Sequence, residues 1–132
     1  MMQYIHPDNL HSVWDFVREG LERILVRSPD RWKPEDVYWL IKNNNYFLHV
    51  YDNKAFAVLQ PISGWDGKEV FVFAAYIVPG EGCITDCLND VKRIASEIGA
   101  KRVKFQSKRE GWLKRAEQLG YKESYREFEL EL

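Results

Sequence analysis

Apolar residues recur at helical spacing at Leu10, Val13, Trp14, Val17, Leu21, Ile24 and Leu25. This predicts an amphipathic helix over residues 10–26, capped by Asp8 or Asn9 and stopped by Ser28-Pro29-Asp30. A second helix is predicted from Pro34, which suits a first turn, through Val37, Leu40 and Ile41 to the asparagines at 43–45. The period then changes to two. Over residues 46–51, Phe47, His49 and Tyr51 face one way and Tyr46, Leu48 and Val50 the other. Asp52-Asn53 turns the chain into a strand over 55–62, and Gly64-Trp65-Asp66-Gly67 makes a hairpin into a strand over 69–78. From Val70 to Val78 both faces are apolar, as in a central strand covered on both sides.

After the turn Pro79-Gly80-Glu81-Gly82, the stripe Ile84, Cys87, Leu88, Val91, Ile94, Ala95 and Ile98 predicts a helix over 83–98, with Gly99 as its stop. A strand over 102–106 follows, then a short helix over 111–119 that buries Trp112, Leu113, Ala116 and Leu119. Ser107 and Glu110 stand at capping-box spacing before it. Phe128, Leu130 and Leu132 alternate and predict a last strand over 123–132, and residues 2–5 allow a short leading strand. The order of elements is that of a single α+β domain over 1–132, with a mixed, mostly antiparallel sheet and helices on both faces.

Composition narrows the function classes. With 132 residues, 45% hydrophobic and 14% aromatic, the chain belongs with folded globular domains. A net charge of −1 gives the whole molecule no general attraction to nucleic acid. Residues 92–126, however, carry eleven Lys and Arg against four Glu, a local charge that suits an anionic cofactor or an acidic surface. Nucleic-acid binding through 101–115 is the weakest reading, since no aromatic platform is interleaved there. Residues 1–10 lack a signal-peptide pattern and no apolar run nears membrane-spanning length, so a cytoplasmic location is expected. Cys83 and Cys87 share the apolar stripe of one helix, which predicts buried free thiols and no metal site.

A strand that delivers a Gly-x-Gly turn onto a helix N-terminus places backbone N–H groups and the positive end of the helix dipole together, an arrangement suited to phosphate. This turn, the element order, Gly99-Ala100-Lys101-Arg102-Val103 and Glu117-Gln118-Leu119-Gly120-Tyr121 together resemble the GCN5-related N-acetyltransferase (GNAT) family. The resemblance covers nearly the whole chain as a layout. It implies a GNAT-like fold, binding of acetyl-CoA, and transfer of its acetyl group to an amine acceptor. By the resemblance, Gly80, Gly82, Cys83 and Thr85 hold the pyrophosphate as a divergent P-loop, while Ile77 and Val78 line the pantetheine.

The chain also departs from the family pattern. Pro79 stands where Gln or Arg is expected and has no N–H to give, Ile84 stands where a small residue is expected, and Glu81 places a carboxylate beside the anion site. The position of the family's tyrosine acid holds Ala116, and Tyr121 reads as core. Glu69 as a base and Tyr76 facing the thioester are the remaining catalytic candidates, with His49 as a second possible base and His6 and His11 exposed near the N-terminus. The alternative is a GNAT-like protein that has lost catalysis and works as a binding or assembly module. Compact divergent members of this kind occur in bacteriophages, where a virion or host-modulating role would follow. Trp32, Trp39, Trp65 and Trp112 exceed what a small core can hold, and Trp65 at a hairpin tip is expected to be exposed as an anchor for a protein partner or a homodimer.

Overall fold

The computed structural model describes residues 1–108 and 111–132. Its elements in chain order are β1 (Gln3–Ile5), a 3-10 turn (Pro7–Ser12), α1 (Trp14–Arg27), α2 (Pro34–Lys42), β2 (Phe47–Tyr51), β3 (Ala55–Gly64), β4 (Gly67–Ile77), α3 (Ile84–Glu97), β5 (Arg102–Phe105) and α4 (Gly111–Gln118). The strands form one sheet in the order β1-β2-β3-β4-β5. Neighbours from β1 to β4 are antiparallel, and β5 is parallel to β4 after the α3 crossover.

Alternation along the strands builds two cores. Leu48, Val50, Phe56, Val58 and Ala74 pack beneath Val17, Leu21, Val37 and Ile41 of α1 and α2. On the opposite face Ala57, Leu59 and Val70 meet Cys83 and the α3 residues Cys87, Val91 and Ala95. Helices therefore cover both faces. Gly20 lets α1 approach the sheet: a Cβ there would lie 2.8 Å from the Tyr76 ring and 2.9 Å from Cζ of Phe56. At the closed end, Arg102 clamps the Asp66 carboxylate through two contacts of 2.7 Å and reaches Glu69 at 3.1 Å, tying the β3–β4 hairpin to β5.

Three expectations need correction. The first helix does not run unbroken from residue 10. His6 Nδ1 accepts the Asp8 N–H at 3.1 Å and opens a separate 3-10 turn, and Val13 at φ −119° divides it from α1. The short helix α4 leaves Leu113 54% exposed and buries no residue fully. Residues 123–132 form no strand among the described residues. Phe128, Leu130 and Leu132 are 88%, 85% and 116% exposed, because an alternating face gains nothing without a neighbouring strand and a covering layer. The capping box at Ser107 and Glu110 lies partly outside the described residues. Trp65 stands fully exposed in the hairpin loop, as its position suggested.

Candidate active site

The site begins where two strands part. β5 pairs with β4 only from Glu69 to Val72. At that point β4 also breaks register with β3: Leu59 faces Val72 and Val58 faces Ala74, which leaves Phe73 as an extra residue. Phe73 and Ala74 consequently both pack on the α1–α2 side. A bulge of this kind bends the strand, and here it turns β4 away from β5.

The backbone beyond the bulge is sorted by one hydrogen bond. Val78 N–H donates to the Lys54 carbonyl at 2.8 Å, so Val78 faces β3. Antiparallel pairing alternates, so the peptide groups of Ile77 and Ala75 face the parted side. Ala75 is exposed, and its small side chain leaves the gap open.

Above the gap lies the turn into α3. Gly80 and Gly82 have φ of +88° and +63°, values that side chains resist, and a Cβ at either would meet nothing within 4 Å. Glu81 N–H closes the turn on the Val78 carbonyl at 3.2 Å. No hydrogen bond among the described residues uses the N–H of Gly80, Gly82, Cys83, Ile84, Thr85 or Asp86. These amides gather at the positive end of a 14-residue helix, an arrangement chemically suited to an anion. A groove of about 200 Å³ continues from Thr85 between Leu88, Asn89 and Lys92 of α3 and Gln118, Leu119 and Tyr121 at the end of α4.

The residues anticipated from sequence divide as follows. Ile77, Gly80, Gly82, Cys83 and Thr85 follow one another along the connection from β4 into α3, but Cys83 offers only its N–H because its thiol is buried beside Cys87 at 3.8 Å. Burial pushes the Cys87 thiol up to about 12, so neither its position nor its chemistry suits a nucleophile. Val78 contributes no free peptide group, since its N–H and carbonyl are both bonded within the chain. Tyr76 lies on the parted stretch, with its ring 5.8 Å from that of Phe56 on the α1 side. Glu69 lies at the closed end, seven residues back along β4 and thus roughly 23 Å from Tyr76. Its carboxylate is held by Lys104 at 2.9 Å and Arg102 at 3.1 Å, which keeps its pKa below the usual carboxylate range. A carboxylate so held is a poor proton acceptor.

His49 sits on the α3 side of β2, away from the parted strands. Burial and Arg93 lower its pKa, and its Nδ1 has no hydrogen-bond partner. Tyr121 stacks edge-on against Phe105 at 5.1 Å, in keeping with a packing role. Periodicity could not show Ala75 or the bulge at Phe73. The small pair Ala74-Ala75 within a bulky strand is the only trace either leaves in the sequence.

The fold as a whole superposes on solved structures of acetyltransferases. A ribosomal-protein-alanine N-acetyltransferase from Brucella melitensis biovar Abortus 2308 matches with TM-score 0.73 at 12% identity, over 100% of this chain and 99% of that one. The chain has the GNAT fold. This GNAT-fold protein also superposes on a predicted acetyltransferase with acetyl-CoA from Clostridium acetobutylicum, with TM-score 0.66 and 15% identity, over 99% of this chain and 96% of that one. An aminoglycoside acetyltransferase from an uncultured soil metagenomic sample, in complex with sisomicin, matches with TM-score 0.73 and 12% identity, over 100% and 95% of the two chains. No protein-family model and no curated protein sequence matches this GNAT-fold chain. Among its described residues, no helix is long and apolar enough to cross a membrane.

Proposed function

We propose that this GNAT-fold protein is an N-acetyltransferase that binds acetyl-CoA and moves its acetyl group to an amine. The observation that carries the reading is the opening of β4 from β5 after Val72, directly below the free amides at the start of α3. The amides of Gly80, Gly82, Cys83, Ile84 and Thr85 would hold the pyrophosphate, with the exposed Thr85 hydroxyl beside them. This mode of binding needs backbone only, so it tolerates Pro79 and Ile84, whose side chains the family pattern does not anticipate. Lys92 in the α3–α4 groove adds a cation for the remaining phosphate.

Bound acetyl-CoA supplies the acetyl group as a thioester. The protein's part is to place that group beside β4 and to aim donors at it. The N–H groups of Ile77 and Ala75, on the parted side, are the donors available to a carbonyl oxygen as it gains charge. Tyr76 carries the one titratable side chain between residues 73 and 77, but its ring turns onto Phe56 on the α1 side, so protonation of the departing thiolate is assigned to water. Removal of the amine proton is assigned to water rather than to Glu69, which Arg102 and Lys104 already neutralise. The binding-only alternative calls for side chains that fill the cleft. Tyr76 instead packs on Phe56 and Ala75 remains exposed, which supports an open site.

Isothermal titration with acetyl-CoA and with CoA tests the reading. Binding in the micromolar range, weakened at least tenfold by Gly82→Pro, is the expected result. Absence of binding at millimolar cofactor overturns it.

A further inference from the structure

We infer that His49 is a pH-sensitive latch, which holds β1 against β2 and α3 while its imidazole is neutral and lets this strand go when the ring takes up a proton. The inference is independent of acetyl-CoA binding.

β1 is an edge strand of three residues. It pairs with β2, and among the described residues no strand lies on its outer side. So short a ladder opens at low cost, apart from the rest of the sheet. Two further contacts hold it, and both lead to one cluster on the α3 side. Tyr4 stands opposite His49 in the β1–β2 register, with its ring 5.6 Å from the imidazole. Met2, buried in the α3-side core, donates its N–H to the Asp90 carboxylate of α3 at 2.8 Å.

The cluster suits a neutral imidazole. His49 is 9% exposed, and its Nδ1 has no hydrogen-bond partner. Tyr4 flanks it from β1 and Ala57 stands opposite on β3, and neither carries a charge. From α3 come a cation, Arg93, and a carboxylate, Asp90. Asp90 is already engaged, since it accepts the Met2 N–H and faces Arg93 Nε at 3.7 Å. That Nε is itself buried without a hydrogen bond, while Nη1 of the same arginine donates to Glu97 at 2.9 Å. Burial and the neighbouring Arg93 together oppose a proton on the ring, against a smaller pull from the Phe47 backbone and Asp90.

Every way of accommodating a proton loosens β1. With the ring in place, a new N–H at Nδ1 is buried beside Arg93 without an acceptor. With Asp90 turned toward the imidazolium, Met2 loses its acceptor. With the ring turned to water, Tyr4 must give way. Departure of β1 removes Tyr4 and Met2 together and hydrates the imidazolium. The closed form is therefore favoured fully above the ordinary histidine pKa of about 6.5, and opening grows as pH falls below it. Linkage limits the change at pH 5 to about thirtyfold for one such group. His6 and His11 are exposed, and His6 pairs with Asp8 at 3.5 Å, outside this cluster.

The test is hydrogen exchange of the full chain at about pH 7.5 and about pH 5, expressed as protection relative to unstructured amides so that the intrinsic pH dependence cancels. The amides of residues 2–5 are expected to be less protected than those of β3 and β4 at both values, as a local opening requires. Their protection should fall at least threefold between the two. His49→Phe keeps a ring that takes up no proton and leaves His6 and His11 in place, so it should abolish that fall. Arg93→Gln removes the neighbouring cation and should shrink it. Unchanged protection at residues 2–5 overturns the inference. Protection equal to that of β3 and β4 overturns it too, since β1 would then open only with the whole fold. A response undiminished in either variant overturns it as well.

Discussion

Val72 and Phe105 form the last rung between β4 and β5, and the next residue, Phe73, is the one left unmatched on β3. The loss of pairing on one side and the extra residue on the other coincide, so β4 turns where its parallel neighbour stops. The result is a gap whose walls are peptide groups and whose floor includes the methyl of Ala75. A site made this way depends on backbone direction more than on which side chains occur.

Filling the gap should therefore abolish ligand binding without harming the fold. Ala75 is exposed, so Ala75→Phe adds bulk only to the gap. We expect acetyl-CoA affinity to fall at least tenfold in titration, with a melting temperature within a few degrees of the parent. Unchanged affinity would place the ligand elsewhere.

Gly20→Ala should destabilise the protein although alanine is the better helix former. The gain in helix propensity is about 1 kcal/mol. Against it, the new Cβ would stand 2.8 Å from Tyr76 and closer still to the ring of the fully buried Phe56, and overpacking of this sort costs about 1–3 kcal/mol. The clash wins, because Phe56 is fixed between Phe16 and Tyr76. Thermal unfolding should show a melting temperature lower by several degrees, and an unchanged or higher value would refute the packing account.

Acid should weaken the fold through His49. Its folded pKa lies below the ordinary 6.5 because of burial and Arg93, with the Phe47 backbone and Asp90 opposing and the Tyr4 ring tilted against it at 5.6 Å. The unfolded chain thus binds the proton more readily. Its contribution is complete above pH 6.5 and is lost as pH falls through the lower folded value. Denaturant titrations should show stability decreasing below about pH 6.5, and His49→Phe should flatten that slope. Equal slopes in both proteins would exclude the histidine.

A second acid step belongs to Asp66. Arg102 holds its carboxyl down at about 2, against 3.8 unperturbed. The contribution is complete above pH 3.8 and fades as pH falls toward 2. Arg102→Gln should remove this step and lower the melting temperature at pH 7, since it also takes a partner from the buried Glu69. A parent-like acid profile in the variant would show that the clamp contributes nothing to stability.

Much of the fold was legible because burial has a period. The stripe from Ile84 to Ile98 and the alternation at 46–51 each place side chains on the faces where the two cores lie. The GNAT-like order of elements followed from those periods. The same reasoning misjudged residues 123–132, where alternation is present and a partner strand is not. It also placed Glu69 among the catalytic candidates, since no pattern along the chain reveals that Lys104 and Arg102 close over it.

By itself the sequence determined the helices, the strands of the main sheet, the glycine turn at 80–82 and the buried thiols, because these depend on local period and on φ values that glycine alone adopts freely. Only the tertiary structure decided that β4 leaves β5 at Val72, that Val78 turns its N–H to Lys54 while Ile77 turns toward the gap, and that Glu69 is neutralised. Those outcomes depend on which strand lies beside which and where the pairing ends, and such long-range relations carry no period along the chain.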